Sequence, residues 1–267
     1  MSFDDRQDGR GEFRRSPTGP RVAPPRTTTG QPEARPLPAI RNKRYVWSAA
    51  LFILIITSVG IRAYRDLSRP EAWAYWKDQN FSPSMTSSLV AVAGLDGASR
   101  GRPALFISGT IGAAAAGWFR DRLDEAHLAP GDTVLMSSPG GDLNQAVIIG
   151  EIIRLRGLTT AVGVADASGH IKPSYCASAC VLAYAGGKSR YGVQGSRLGV
   201  HRFVTSAPGH DPVADTQRTT GMVLSYMTKM GVSSSLVEAM TETSDIRWLG
   251  VREAAAMNLV TEPLGKP

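Results

Sequence analysis

The chain has 267 residues, of which 42% are hydrophobic, with a formal net charge of +7 and only two cysteines. That charge is not spread evenly: the first 69 residues carry 13 basic and 6 acidic side chains, the remainder 17 of each. A neutral C-terminal region excludes a basic nucleic-acid footprint there, and two cysteines without histidines at ligand spacing exclude a cysteine–histidine zinc site.

Residues 1–44 are rich in Arg, Pro, Gly and Thr and poor in large apolar side chains. Such a segment buries too little surface to offset its ordering entropy, so a disordered tail is predicted. Residues 45–61 are 17 in a row without a charge. As a helix they reach ~26 Å, enough for a hydrocarbon core when flanking side chains snorkel. The 44-residue lead is too long for a signal peptide, and Ile61-Arg62-Ala63-Tyr64-Arg65 offers no small-x-small cleavage pattern. The expectation is an uncleaved single-pass anchor at 45–62. Arg35, Arg41, Lys43 and Arg44 precede it and Arg62, Arg65 and Arg69 follow. By the positive-inside rule this favours a cytoplasmic N-terminus in the inner membrane, with the C-terminal domain on the outer, periplasmic side. Residues 63–100 hold Trp73, Trp76, Phe81 and the apolar run 89–93, and read as a juxtamembrane linker with one helix and an edge strand.

From residue 101 to the end the pattern is that of one domain in which strands and helices alternate. A buried strand at 104–109 leads to a helix at 113–126, and Pro130-Gly131-Asp132 turns the chain into a second buried strand at 133–137. Gly140-Gly141 then opens a helix at 143–156, with Asp142 as its N-cap and Gly157 at its end. A third strand covers 159–164. Repeated βα alternation implies an α/β fold, a sheet covered by helices.

Tyr175-Cys176-Ala177-Ser178-Ala179-Cys180 runs into the apolar segment 181–185 and stops at Gly186-Gly187, which places Ser178 at the start of a short buried helix. Ser196-Arg197-Leu198-Gly199-Val200-His201 reads as a strand ending on a histidine. A hydroxyl at a helix N-terminus, a glycine pair after a strand and a histidine at a strand end are the parts of an acyl-transfer site. In it Ser178 is the nucleophile and His201 the base; the N–H groups of Ala179 and of the Gly140-Gly141 pair supply the oxyanion donors. A carboxylate is needed to orient the imidazole. For Cys176 and Cys180, four residues apart, a disulfide and a pair of buried free thiols are both open.

The order of these pieces resembles the Clp protease proteolytic subunit and its crotonase-like superfamily over about residues 103–262. Ser138-Pro139-Gly140-Gly141 is similar to the family's Ser-Pro-Gly-Gly oxyanion loop, and Cys176-Ala177-Ser178-Ala179 to its Ala-Ala-Ser-Met, with Ser178 on the nucleophile. Phe106-Ile107-Ser108-Gly109-Thr110-Ile111 resembles the first strand and turn. Gly187-Lys188-Ser189-Arg190 and the strand up to His201 resemble the segment that carries the base. Trp248-Leu249, Glu253-Ala254-Ala255 and Leu259-Val260 resemble the closing segment. Counting back from Trp248-Leu249 places Glu242 where the family has its triad aspartate, with Asp245 the alternative if the loop shifts. The resemblance implies stacked βα units and serine peptidase activity on peptide or unfolded-protein substrates. No cofactor is implied, and no Gly-x-x-x-x-Gly-Lys-Ser/Thr nucleotide loop occurs. The segment 217–230 leaves little room for the family's long handle helix, so a homo-oligomer is open but a double-ring barrel is not expected. The competing expectation is a catalytically inactive binding or scaffold protein of the cell envelope that keeps the fold.

Overall fold

The structure, a computed structural model, describes residues 43–81, 83–92, 102–166, 168–203 and 211–264. The expected disordered tail lies almost wholly outside the described residues. Helix α1 (Lys43–Leu67) runs past the predicted end of the apolar stretch, because residues 61–67 contain neither proline nor glycine and Pro70 comes only after Ser68-Arg69. It is the one helix among the described residues long and apolar enough to cross a membrane, with a mean hydropathy of 1.9 and no buried share. By its contacts the chain divides within α1, after Leu54, into two units. The second is built as follows.

Helix α2 (Pro70–Asn80) begins on a proline, whose missing N–H is no loss in a first turn. Near its end Asp78 accepts from Ser84 N–H at 2.8 Å and from Ala114 N–H at 2.9 Å, which fastens α2 to the start of α3 (Ala115–Ala126). Between them, β1 (Met85–Val92) pairs antiparallel with β2 (Arg102–Gly109) as the edge of the main sheet. Then come β3 (Thr133–Ser137), α4 (Leu143–Leu155), β4 (Thr159–Val162), the small β5 (Val164–Ala165) and β6 (Ile171–Lys172) hairpin, and β7 (Tyr175–Ala177). Helix α5 (Ala179–Ala185), β8 (Arg190–Val193), β9 (Arg197–Val200), α6 (Pro212–Lys229), α7 (Ser234–Thr241), β10 (Arg247–Leu249), α8 (Val251–Ala256) and β11 (Glu262–Leu264) complete the chain.

The result is a mixed α/β fold. The main sheet has the order β1-β2-β3-β4-β8-β11, parallel from β2 onward, and a second sheet has the order β10-β9-β7. Strands β3 and β4 are buried: Val134-Leu135-Met136 and Ala161-Val162 supply apolar side chains, while the buried threonines pair their hydroxyls, Thr133 with Thr159 at 2.8 Å and Thr160 with Tyr184 O at 2.8 Å. Helix α4 starts where Asp142 accepts from Gln145 N–H at 2.9 Å and ends before Gly157 at φ +67°. The core between helices and sheet is built on Phe119, Ile149, Ile153, Tyr184, Leu236, Met240 and Leu249.

Helix α5 is short, and all seven of its residues are buried. It survives by packing, since seven residues are far too few for a helix to stand alone in water. Its partner is α4, and the two backbones touch: a methyl on Gly186 would run into the Gly150 carbonyl, and one on Gly150 into the Tyr226 hydroxyl. That hydroxyl donates to Leu182 O at 2.8 Å, so α6 fastens α5 from behind. Burial pushes the pKa of both Tyr226 and Tyr184 well above the ordinary phenol value, which keeps them neutral. Arg190, 2% exposed, donates to Leu259 O (2.8 Å), Asn258 O (2.7 Å), Gly187 O and Met230 O (both 3.2 Å). Arg154 adds Ala185 O at 3.2 Å and Met230 O at 3.0 Å. Two guanidinium groups thus satisfy the carbonyls at the ends of α5, α6 and α8, and burial lowers the proton affinity of both.

Candidate active site

Ser178 stands between β7 and α5 with φ 56° and ψ −129°. A non-glycine residue in that region costs about 1–3 kcal/mol and persists only where its surroundings over-determine it. Three contacts do so. Ser178 N–H donates to Gly199 O at 2.8 Å, Val181 N–H donates to Ser178 O at 3.0 Å, and Cys176 is joined to Cys180 by a disulfide across the turn. The Ser178 side chain makes no capping bond to its own helix, so the hydroxyl is not committed to the backbone.

Strand register brings the backbone around His201 alongside that around Ser178. Strands β7 and β9 are parallel, with Ala177 beside Gly199. Ser178 follows β7 and donates its N–H to Gly199 O at 2.8 Å, and His201 follows the last residue of β9, two positions beyond Gly199. Both side chains are half-buried. His201 Nδ1 lies 2.7 Å from Arg202 O, and a carbonyl only accepts, so Nδ1 carries the proton. This leaves Nε2 unprotonated in the neutral ring, the state a general base requires. No hydrogen bond joins the Ser178 hydroxyl to the ring among the described residues. Such bonds are often long in ligand-free enzymes and tighten around substrate.

The glycine loop closes the other side. Ser138 N–H donates to Tyr175 O at 3.1 Å and Ala177 N–H to Ser138 O at 3.0 Å, so the end of β3 is paired to β7 just before the serine. Ile111 N–H donates to Gly140 O at 2.8 Å and Asp142 N–H to Ile111 O at 2.7 Å, which holds the loop from the side of β2. Gly140, at φ +98°, leans on Ser178: a methyl there would sit 2.8 Å from Ser178 Cβ and 3.0 Å from Ala179 N. Gly141, at φ +143°, is pressed against the Ile111 carbonyl. Of the three predicted oxyanion donors, the Gly140 N–H is already directed at Ser138 Oγ, 3.1 Å away. The Gly141 N–H lies outside the bonds of the Ile111 bridge, and Ala179, as the first residue of α5, has an N–H without an intrahelical partner.

The carboxylates are elsewhere. Glu242 ends α7, exposed, and accepts from Arg247 Nη1 at 3.3 Å, while Glu253 takes the other arm of that arginine at 2.8 Å. Asp245 is exposed too, and its carbonyl accepts from the Thr243 hydroxyl at 2.9 Å. Neither meets His201: among the described residues no carboxylate oxygen lies within 4.0 Å of its ring nitrogens. The loop is nonetheless tied to the histidine's strand, since Arg202 N–H donates to Thr243 O at 2.9 Å. Three contributors were not singled out from the sequence: Ser138, Ile111 and the Arg202 carbonyl. Ser138 and Ile111 each carried a signal, as the head of Ser-Pro-Gly-Gly and the end of Phe106-Ile107-Ser108-Gly109-Thr110-Ile111; the Arg202 carbonyl carried none. No group of three metal-ligating side chains occurs among the described residues.

No protein-family model and no curated protein matches this chain. Among solved structures, ClpP1 from Listeria monocytogenes is similar, with a TM-score of 0.47 and 19% identity, over 61% of this chain and 92% of that one. A point mutant of the same Listeria protein gives a TM-score of 0.47 and 18% identity, over 61% and 91%.

Proposed function

We propose that this chain is a membrane-anchored serine peptidase of Clp type. The observation that carries the reading is Ser178 itself: a non-glycine residue held at φ 56°, at a strand end beside the strand that leads to His201, with its hydroxyl unused by the helix it starts. In the reaction, His201 Nε2 takes the Ser178 proton as Oγ attacks the substrate carbonyl carbon. The oxyanion accepts from Gly141 and Ala179 N–H, and the imidazolium then protonates the leaving amine. A water, deprotonated by the same nitrogen, releases the acyl group. Glu242 or Asp245 would reach the imidazolium only after the loop that carries them moves.

The substrates are peptides or unfolded proteins, by the resemblance of the motifs. Helix α1 would anchor the chain in the inner membrane with its N-terminus cytoplasmic. A bridged cysteine pair accords with a domain on the periplasmic side, where disulfides persist. The distance of both carboxylates from His201 favours a second reading, an inactive scaffold. Treatment of the full chain in detergent micelles with a fluorophosphonate probe separates the two. Labelling that disappears in S178A and falls in H201A is expected; an unlabelled, folded wild type leaves the scaffold.

A further inference from the structure

Two residues on either side of Ser178 stand Cys176 and Cys180, and their sulfurs are joined. We propose that these cysteines are positioning residues: their bridge holds Ser178 in its left-handed backbone conformation and thereby fixes where the hydroxyl points. The proposal deepens the peptidase reading and rests on it for the kinetic part of its test.

The need for such a fastener follows from what the turn lacks. A serine that starts a helix ordinarily bonds an amide of the first turn, which closes the turn and stabilises the helix together. Here the side chain makes no such bond, so a hydroxyl kept for chemistry leaves the turn without its usual closure. The backbone conformation is an uphill one for any residue but glycine. Helix α5 cannot oppose relaxation from its own hydrogen bonds, because seven residues do not sustain a helix. The most economical relaxation would unwind its first turn and let Ser178 return to negative φ. That path requires Cys180 to move away from Cys176, and the bridge forbids it. One sulfur belongs to strand β7 and the other to the first turn of α5, so the covalent link spans the two elements whose junction is strained. Both cysteines are at most 1% exposed, which shields the link from reductants in solution. Because the closed loop is so short, its effect on the unfolded chain as a whole is small and its work is local.

The test uses the full chain in detergent micelles. Maleimide counting on the denatured, unreduced protein should find no free thiol; two free thiols per chain overturn the proposal. Two variants then remove the bridge, C176S/C180S and the apolar C176A/C180V, the second as a replacement should the first not fold. Amide hydrogen exchange across residues 177–182 is expected to accelerate at least about tenfold while that of Thr133–Ser137 is unchanged. The maximal rate of fluorophosphonate labelling should fall at least about tenfold with the half-saturating probe concentration unchanged, the signature of a misplaced nucleophile. Wild-type exchange in the variants overturns the proposal, as does loosened exchange with labelling at the wild-type rate. Loss of protection in Thr133–Ser137 as well would show the bridge supporting the whole domain, and would equally overturn it. If the wild type is never labelled, the peptidase reading fails alone, and the exchange measurement still decides whether the bridge holds the turn.

Discussion

The two halves of the candidate site are built to different standards. On the nucleophile side, Ser178, Ala179, Gly140 and Gly141 are held by paired strand ends, a close glycine contact and a disulfide, with most neighbours buried. On the acid side, Glu242 and Asp245 lie exposed on the loop that follows α7, and Glu242 is engaged by Arg247. The orientation that a carboxylate would give His201 is supplied by a main-chain oxygen at Arg202. A carbonyl fixes the tautomer but carries no negative charge to stabilise an imidazolium. The contrast is therefore between a firmly held serine turn and a histidine that no carboxylate supports among the described residues.

The largest expected effect tests the first half. S178A should remove at least about 10³-fold of the labelling or peptide-hydrolysis rate, because no other group replaces an attacking hydroxyl. Retained labelling would end the reading. Next, G140A places a methyl 2.6 Å from Ala177 O and 3.0 Å from Ala179 N and forces alanine to φ +98°. A fall of about 10²–10³-fold is expected, comparable to the loss of one oxyanion donor, with circular dichroism unchanged. A G140A protein as active as wild type would show that the oxyanion lies elsewhere. Third, G150A drives a methyl into the Tyr226 hydroxyl and should lower stability by about 1–3 kcal/mol. The double variant G150A/Y226F should recover part of that loss in denaturant titration, since removing the hydroxyl relieves the clash.

Alkaline pH acts on the same support. Burial holds Tyr184 and Tyr226 neutral in the folded chain, whereas the unfolded chain ionises them near pH 10. Raised folded values mean stability that is fully present below that pH and is lost as pH rises past it. Thermal melts between pH 9 and 11 should show the fall, shallower in Y226F. The smallest effects belong to the other half: E242Q and D245N should each change kcat/KM by less than about threefold, as expected for exposed charges that make no ion pair with the ring. A loss of 10³-fold in either would reveal that the loop closes onto His201 when substrate binds.

Much of the fold was legible because it rests on local signals. The run Thr133–Ser137 is a strand buried over its first four residues, as its apolar centre Val134-Leu135-Met136 predicts, and Asp142 and Gly157 bracket α4 as a cap and a left-handed stop. The bridge between Cys176 and Cys180, open from spacing alone, depends on how sharply the chain turns at Ser178, and that turn has no sequence signature, since serine rarely adopts positive φ. The surroundings of His201 were illegible for a different reason. They depend on β10 pairing antiparallel with β9 (Trp248 opposite Gly199), a long-range choice that brings residues 242–247 alongside the histidine's strand but spends Glu242 on Arg247. Counting residues locates a carboxylate along the chain and says nothing of which cation claims it.

The buried arginine at 190 has a consequence for how this domain comes apart. Its charge cannot be titrated away under any ordinary condition, and one planar group gathers oxygens from segments 187, 230 and 258–259 at once. Fraying any one of those segments would leave a buried cation short of acceptors, which couples their release. The C-terminal third should behave as a keystoned arch, intact or fallen, with no stable halfway form.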